Sequence, residues 1–248
     1  MGKFDALLWD VDGTLLNFLY SQRIAISRCL SGIGVEPSEE MVQRYSVIND
    51  GYWKRLELGE VTKEQLLTGR FTSLLDEYGI QNVDVAVFRE KYENTLGEVY
   101  AYQENSLDIC RSLKGRIKQY VITNGVTAIQ TSKLKLSGFA ELMDDIFISE
   151  QIGCPKPQPG FFEYCLRDMR KTMEEVHPER LLIVGDSLTS DIKGGVLCGI
   201  RTCWYRPGIK VEDLREQDPA MGQVYEAFKP DYEIERLEQI FDVLKIEK

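Results

Sequence analysis

The sequence predicts an α/β protein, a doubly wound parallel sheet with an all-helical segment inserted behind its first strand. Three observations predict it. Short apolar runs repeatedly end at polar turn residues, and helix-like segments separate those runs. Between about residues 16 and 101 the strand signals vanish and long amphipathic segments take over.

Phe4 to Trp9 is the first strand-like run, and it stops at Asp10 before the turn signal Asp12-Gly13. Lys118–Thr123 runs into Asn124-Gly125, Ile146–Ser149 into a proline-rich stretch, and Leu181–Gly185 into Asp186, with a further strand over Ile200–Tyr205. Strands spaced by helices in this way build a parallel sheet. Thr127-Ala-Ile-Gln130 matches a capping box, and with Gly138 as a stop it predicts a helix of about ten residues. Phe162, Cys165, Leu166 and Met169 share a face of a second helix, and residues 191–197 form a third that runs into Gly199. Within the strand-free stretch, Val85, Phe88, Tyr92, Leu96 and Val99 recur at intervals of three and four, while Thr62-Lys-Glu-Gln65 opens a helix toward Gly79. The expected organisation is a discontinuous core, residues 1–15 and 102–248, carrying a helical cap over residues 16–101.

The 248 residues are 43% hydrophobic, which can fill a substantial interior. Thirty basic against forty acidic residues leave a formal charge of −10, with no concentrated basic footprint. That argues against a nucleic-acid polymer or a membrane surface as partner, and a phosphorylated ligand would need a local cation from the protein or a metal. The six cysteines are scattered, with no Cys-x-x-Cys pair, and read as reduced packing residues. Asp5 and Asp10 interrupt the apolar region a signal peptide would need, and no apolar stretch approaches the ~18 residues of a membrane span, so a cytoplasmic protein is expected. Oligomeric contacts are not legible, and a monomer and a homodimer fit equally.

Four pieces at predicted strand ends carry chemistry, and such ends are where open α/β sheets place ligands. The first is Asp10-Val-Asp12-Gly-Thr14, in which alternation puts both acids on one side and Gly13 turns the chain around whatever they hold. Asp10 can form an aspartyl-phosphate, and Asp12, near a second carboxylate, can pass a proton to a leaving alkoxide and take one from water. Taken alone, an acidic turn of this kind also suits hairpins and calcium loops. The second piece, Thr123-Asn124-Gly125, offers a hydroxyl and an adjacent backbone amide to phosphate oxygens, although by itself the tripeptide is more often a plain turn. The third, Cys154-Pro-Lys156-Pro, stiffens a lysine between prolines. The fourth, Gly185-Asp186-Ser-Leu-Thr-Ser-Asp191, supplies two more acids; Asp10 and Asp186 suit Mg²⁺, and Asp191 is either a helix cap or a supporting acid. His177, beside Pro178, reads as a loop residue.

This ordered set resembles the phosphatases of the haloacid dehalogenase superfamily that carry a helical cap after the first motif, and the resemblance covers essentially the whole chain. It implies Asp10 as nucleophile, Asp12 as general acid/base with its backbone carbonyl on Mg²⁺, Thr123 and Lys156 on the phosphate, Asp186 as metal ligand and Asp191 as supporting acid. Asp12 favours phosphate esters, because the dehalogenases of the superfamily lack an acid there. The segment from Asn49 through Trp53 to Thr62, with Gly69-Arg70-Phe71, Asn17-Phe18 and Thr202-Cys-Trp204, is similar to bacterial pyrimidine 5′-nucleotidases. That likeness implies a nucleoside monophosphate, with Phe18, Tyr20, Tyr52 or Trp53 placed to stack a base; core packing of the cap is the competing use of each ring. Tyr102-Gln-Glu-Asn105 and Cys154 depart from the family pattern without touching its chemistry. A sugar-phosphate phosphatase or phosphomutase shares every core motif, and a binding module without turnover is the alternative outside enzymes.

Overall fold

The computed structural model describes residues 3–247. Strands β1 (Ala6–Trp9), β2 (Lys118–Thr123), β3 (Asp145–Ile148), β4 (Leu181–Gly185), β5 (Arg201–Tyr205) and β6 (Tyr232–Ile234) form one sheet in the order β3-β2-β1-β4-β5-β6. Every pairing is parallel. All residues of β1 and β4 are buried, as parallel strands covered on both faces require. Alternation sorts them: Leu7, Trp9, Leu182 and Val184 join one apolar cluster, while Ala6, Leu8, Leu181 and Ile183 join the other.

Helices α1 (Phe18–Gly32), α2 (Glu39–Glu57), α3 (Lys63–Glu77), α4 (Val85–Glu98) and α5 (Ser106–Leu113) all lie between β1 and β2. After β2 come α6 (Thr127–Leu136), the short α7 (Ser149–Ile152) behind β3, α8 (Pro159–Met169), α9 (Lys193–Leu197), α10 (Val211–Gln217), α11 (Pro219–Ala227) and α12 (Ile240–Leu244). Ile109, Cys110 and Leu113 of α5 and Ile240, Phe241 and Leu244 of α12 cover one face of the sheet. Phe161, Phe162, Cys165 and Met169 of α8 cover the other, with Leu166 only half-buried. Helices thus flank a parallel sheet on both sides, the doubly wound arrangement the β-α spacing predicts.

Helices α1–α4 bury a core of their own, built on Ala25, Ile26, Leu30, Tyr45, Phe71, Leu74, Phe88 and Tyr92, with Ile129 of α6 the residue that ties it to the sheet layer. Phe71 is its centre, stacked on Tyr45 at 5.7 Å and edge-on to Tyr92 at 5.0 Å. Each helix has its own start signal: Asn17, Ser38 and Asp84 accept from first-turn backbone N–H groups, and Thr62 with Gln65 forms the expected capping box. This is an all-helical cap inserted after the first strand of an α/β core.

Four details differ from expectation. Residues 127–130 open α6 but form no capping box; Thr127 N–H donates to Glu150, and the Gln130 side chain is used elsewhere. Strand β3 begins one residue early, and Ser149 belongs to α7. Residues Leu188–Ile192 make a π turn before α9 instead of entering a plain α-helix. Strand β6 leaves no strand signal in the sequence, because it is a three-residue edge strand of mixed polarity, YEI, with only Ile234 buried.

Candidate active site

Strand β1 stays in register with β4 up to Asp10, whose N–H donates to the Val184 carbonyl at 2.9 Å. The chain then turns within four residues, with the N–H groups of Leu15 and Leu16 both returning to the Val11 carbonyl. Gly13 makes this possible in two ways. Its φ of +101° is a conformation L residues avoid, and a Cβ there would meet Asp186 Oδ2 at 2.4 Å. The turn therefore presses the backbone of the first motif onto the carboxylate of the fourth, and the Thr14 hydroxyl donates to Asp186 Oδ1 at 3.3 Å. Trp204 of β5 steadies the same residue by donating its indole N–H to the Asp186 carbonyl at 2.9 Å.

Lys156 reaches in from the loop after β3. Its ammonium donates to Asp10 Oδ1 at 2.7 Å, Asp191 Oδ1 at 2.7 Å and the Ile122 carbonyl at 2.9 Å, with only 1% of the residue exposed. All three of its protons are thereby satisfied. Asn124 clamps the lysine's backbone, accepting from the Lys156 N–H and donating to the Lys156 carbonyl, each at 2.9 Å. The side chain of Asn124 therefore positions Lys156, while the residue still lines the cleft. Asp191 completes the frame by accepting from Ser187 N–H at 3.1 Å.

Carboxylate oxygens of Asp10, Asp186 and Asp191 all lie within 4.8 Å of one another. Burial pushes Asp10 up to about 7, a shift that Lys156 opposes and Asp191 reinforces. Burial also raises Asp186, with repulsion from Asp10 and Asp191 adding to it and Lys156 opposing it. Burial alone would lower Lys156, but Asp10 and Asp191 overrule it and hold the ammonium protonated. Three acids facing one cation leave excess negative charge in a confined space, and a hard divalent ion fits an all-oxygen donor set of this kind.

Asp12 is held from the other side, by residues that sequence reasoning missed. Lys133, fully buried on α6, pairs with Asp12 Oδ1, and Gln130 donates to Asp12 Oδ2 at 2.9 Å and to the Thr123 hydroxyl oxygen at 2.5 Å. Instead of being pressed against a second carboxylate, Asp12 faces a cation and an amide. The signal was present as two polar residues, Gln130 and Lys133, one turn apart on the face that also carries Ile129 and Leu134. Gly125 makes room, since a Cβ there would meet Gln130 Cγ at 2.6 Å.

These groups floor a cleft of about 650 Å³ whose opposite wall comes from α1 and α2. Phe18 and Trp53 line it. Tyr52 does not: its ring packs against Val61, Leu66 and Leu67, and its hydroxyl meets Ser73 at 3.1 Å. Tyr20 is also absent from the lining and is 45% exposed. Gln103, in a segment read as outside the chemistry, does line the cleft and donates to the Tyr205 hydroxyl at 2.9 Å. Glu57 of α2, unremarked in the sequence, lines the cleft, and burial pushes it up to about 7. His177 sits exposed on a loop beside Glu175.

A doubly wound sheet that gathers acids and a lysine at its strand ends under an inserted helical cap defines a class of hydrolases. The sequence pattern of the haloacid dehalogenase-like hydrolases matches residues 4–199, and the chain belongs to that family. Among its relatives is the HAD-hydrolase YfnB of Bacillus subtilis, 34% identical over 247 residues that cover 100% of this chain and 98% of the relative. The crystal structure of YfnB, described as bound to magnesium and as revealing interdomain movement, superposes with a TM-score of 0.85 at 33% identity, covering 98% of this chain and 99% of that one. Pyrimidine 5′-nucleotidase PynA of Streptococcus pneumoniae is 35% identical over 81% of this chain and 83% of its own. Pyrimidine 5′-nucleotidase YjjG of Escherichia coli is 30% identical over 82% and 86%.

Proposed function

We propose that the chain is a Mg²⁺-dependent phosphatase that hydrolyses small phosphate monoesters through an aspartyl-phosphate on Asp10, with pyrimidine nucleoside 5′-monophosphates as its substrates. The observation that carries this reading is the convergence of Asp10, Asp186, Asp191 and Lys156 at the floor of a cleft that also holds Asp12 and Thr123. The two pyrimidine 5′-nucleotidases among the relatives, and the aromatic wall of Phe18 and Trp53, support the choice of substrate. The catalytic unit is residues 1–15 and 102–248, and residues 16–101 close over it as a lid.

Asp10 and Asp186, with the backbone carbonyl of Asp12, would hold the metal. A bound divalent cation supplies the positive charge that keeps Asp10 ionised and neutralises the phosphoryl oxygens. The free oxygen of Asp10 attacks phosphorus in line as the ester P–O bond breaks, and Asp12 gives its proton to the departing alkoxide. Water then adds to the phosphorus of the aspartyl-phosphate; its proton passes to Asp12, the Asp10–phosphorus bond breaks, and inorganic phosphate leaves. Gln130 and Lys133 keep the Asp12 carboxylate in place for both transfers. The Thr123 oxygen accepts from Gln130, so its O–H is free to donate to a phosphate oxygen. The donors of Lys156 are committed, so the lysine acts on the phosphate through its charge and by fixing Asp10. The six cysteines are all free, which fits a reducing cytoplasm.

Phosphate release from UMP, dTMP, dUMP, hexose phosphates and p-nitrophenyl phosphate, with Mg²⁺ and with EDTA, tests the reading. Asp10→Asn and EDTA should each abolish turnover of every ester. Full activity under either condition removes the mechanism, and a preference for hexose phosphates removes the nucleotide assignment alone.

A further inference from the structure

Asn49 is buried in the cap wall of the cleft with 3% of its surface exposed, and its amide orientation is fixed. Its partner is Arg70, whose Nη1 lies 2.8 Å from Asn49 Oδ1. A guanidinium only donates, so the bonded atom must be the amide oxygen and the other end of the amide is the NH₂ group. Among the described residues, Arg70 has no carboxylate partner; it lies over the rings of Phe71 at 4.7 Å and Tyr92 at 5.1 Å, locked between the helices it serves. Asn49 Nδ2 has no hydrogen-bond acceptor among the described residues, and it is not among the side-chain atoms sealed from solvent without a partner. On a residue this buried that lines the cleft, the opening is into the cleft. Four residues further along α2, and so on the same face, stands Trp53, which lines the cleft as well. Gln22, tied to Ser46 one turn before Asn49 at 2.6 Å, has a buried carbonyl oxygen with no partner, so a second amide of the same wall is short of a bond.

A donor of fixed direction beside an aromatic plane, facing a phosphate-sized acidic floor across one cleft, describes a reader for a flat group bearing an in-plane acceptor. We infer that Asn49 is a specificity-determining residue, its Nδ2 donating to a carbonyl oxygen of a pyrimidine base stacked on Trp53, with Arg70 as the residue that positions the amide. This rests on the phosphatase reading above and adds what that reading lacks, the contact that makes the leaving group a nucleoside. The carboxylate of Asp50 on the same wall favours a neutral acceptor over an anionic one.

The test is a cycle that crosses one protein change with one substrate change. Asn49→Asp keeps an acceptor for Arg70 and removes the donor; ribose 5-phosphate keeps the ester and removes the base. The ratio of kcat/KM for UMP to that for ribose 5-phosphate should be well above one in the unaltered protein, and should fall by roughly tenfold or more in Asn49→Asp. A ratio that does not change with the substitution overturns the inference, because it means that Asn49 touches the sugar or serves packing alone. A ratio near one in the unaltered protein overturns it also, while leaving the phosphatase reading intact. Release of phosphate from neither substrate and not from p-nitrophenyl phosphate would instead fail the phosphatase reading. Should Asn49→Asp lose both activities, Asn49→Ser, which retains an acceptor for Arg70 and withdraws the donor, is judged by the same ratio.

Discussion

Asp12 shows how much one side chain depends on its surroundings. The motif places it in the sequence, but Lys133 and Gln130 decide which way its oxygens point. In the proposed mechanism, removing Lys133 takes the anchor from the carboxylate that transfers the proton and leaves Asp10, Lys156 and Asp186 in place. Lys133→Met should therefore lower kcat by about 10²-fold, the usual weight of a positioned acid or base, with little change in KM. Steady-state kinetics on p-nitrophenyl phosphate reads both constants, and a variant that raises KM at constant kcat would assign Lys133 to substrate binding instead. Asp10, Asp12, Lys156 and Asp186 were legible because each follows a strand-like run. Lys133 and Gln130 were not, because a polar residue in mid-helix looks the same in sequence whether it meets solvent or a partner more than a hundred positions away.

Among the elements, α1–α4 hold together around the rings of Tyr45, Phe71, Phe88 and Tyr92, a set distinct from the four rings that the sequence offers for base stacking. Phe71 is fully buried between Tyr45, Phe88 and Tyr92, so it is core. Phe71→Ala should cost about 3–5 kcal/mol of unfolding free energy, measurable as a lower urea midpoint at constant m-value. A loss below about 1 kcal/mol would mean that the helical layer repacks around the void. The proposed stacking rings divide: Phe18 and Trp53 line the cleft, while Tyr52 does not, although Tyr52 and Trp53 both pack against the small apolar cluster of Val61, Leu66 and Leu67. Neighbours in sequence on a helix point about 100° apart, so Tyr52 and Trp53 present different faces, and the sequence alone does not say which of them reaches the cleft. The capping-box motif had the same ambiguity. Thr62 and Gln65 form one because nothing else competes for Gln65, whereas Gln130 is drawn away by Asp12 and Thr123.

For the molecule as a whole, the concentration of acids makes stability depend on pH and metal together. Asp10 and Glu57 are each pushed to about 7 by burial, while in the unfolded chain they would titrate near the ordinary ~4. Between those values the folded state holds protons that the unfolded state has released. Stability in EDTA should consequently fall as pH rises from about 4 to about 7 and then level off. Urea midpoints at intervals across that range measure it, and a profile that rises or stays flat would contradict the buried-acid arrangement. Adding Mg²⁺ at neutral pH should recover the loss, by about 2.7 kcal/mol at a hundred times its dissociation constant. Asp10→Asn should reduce that gain.

The strand-helix alternation, the insertion of a helical segment after β1 and the acids and lysine near the strand ends are all legible in the order of residues, because they follow from local periodicity and from turn chemistry within a few residues. Packing in three dimensions brings Asp191 to Asp10 and Asp186, sets Asn124 on Lys156 and Lys133 and Gln130 on Asp12, and places Asn49 rather than Tyr52 in the lining of the cleft. Each of those is a contact between elements distant along the chain, fixed by how the α1–α4 layer sits over the sheet and how far a buried polar group must reach to find a partner.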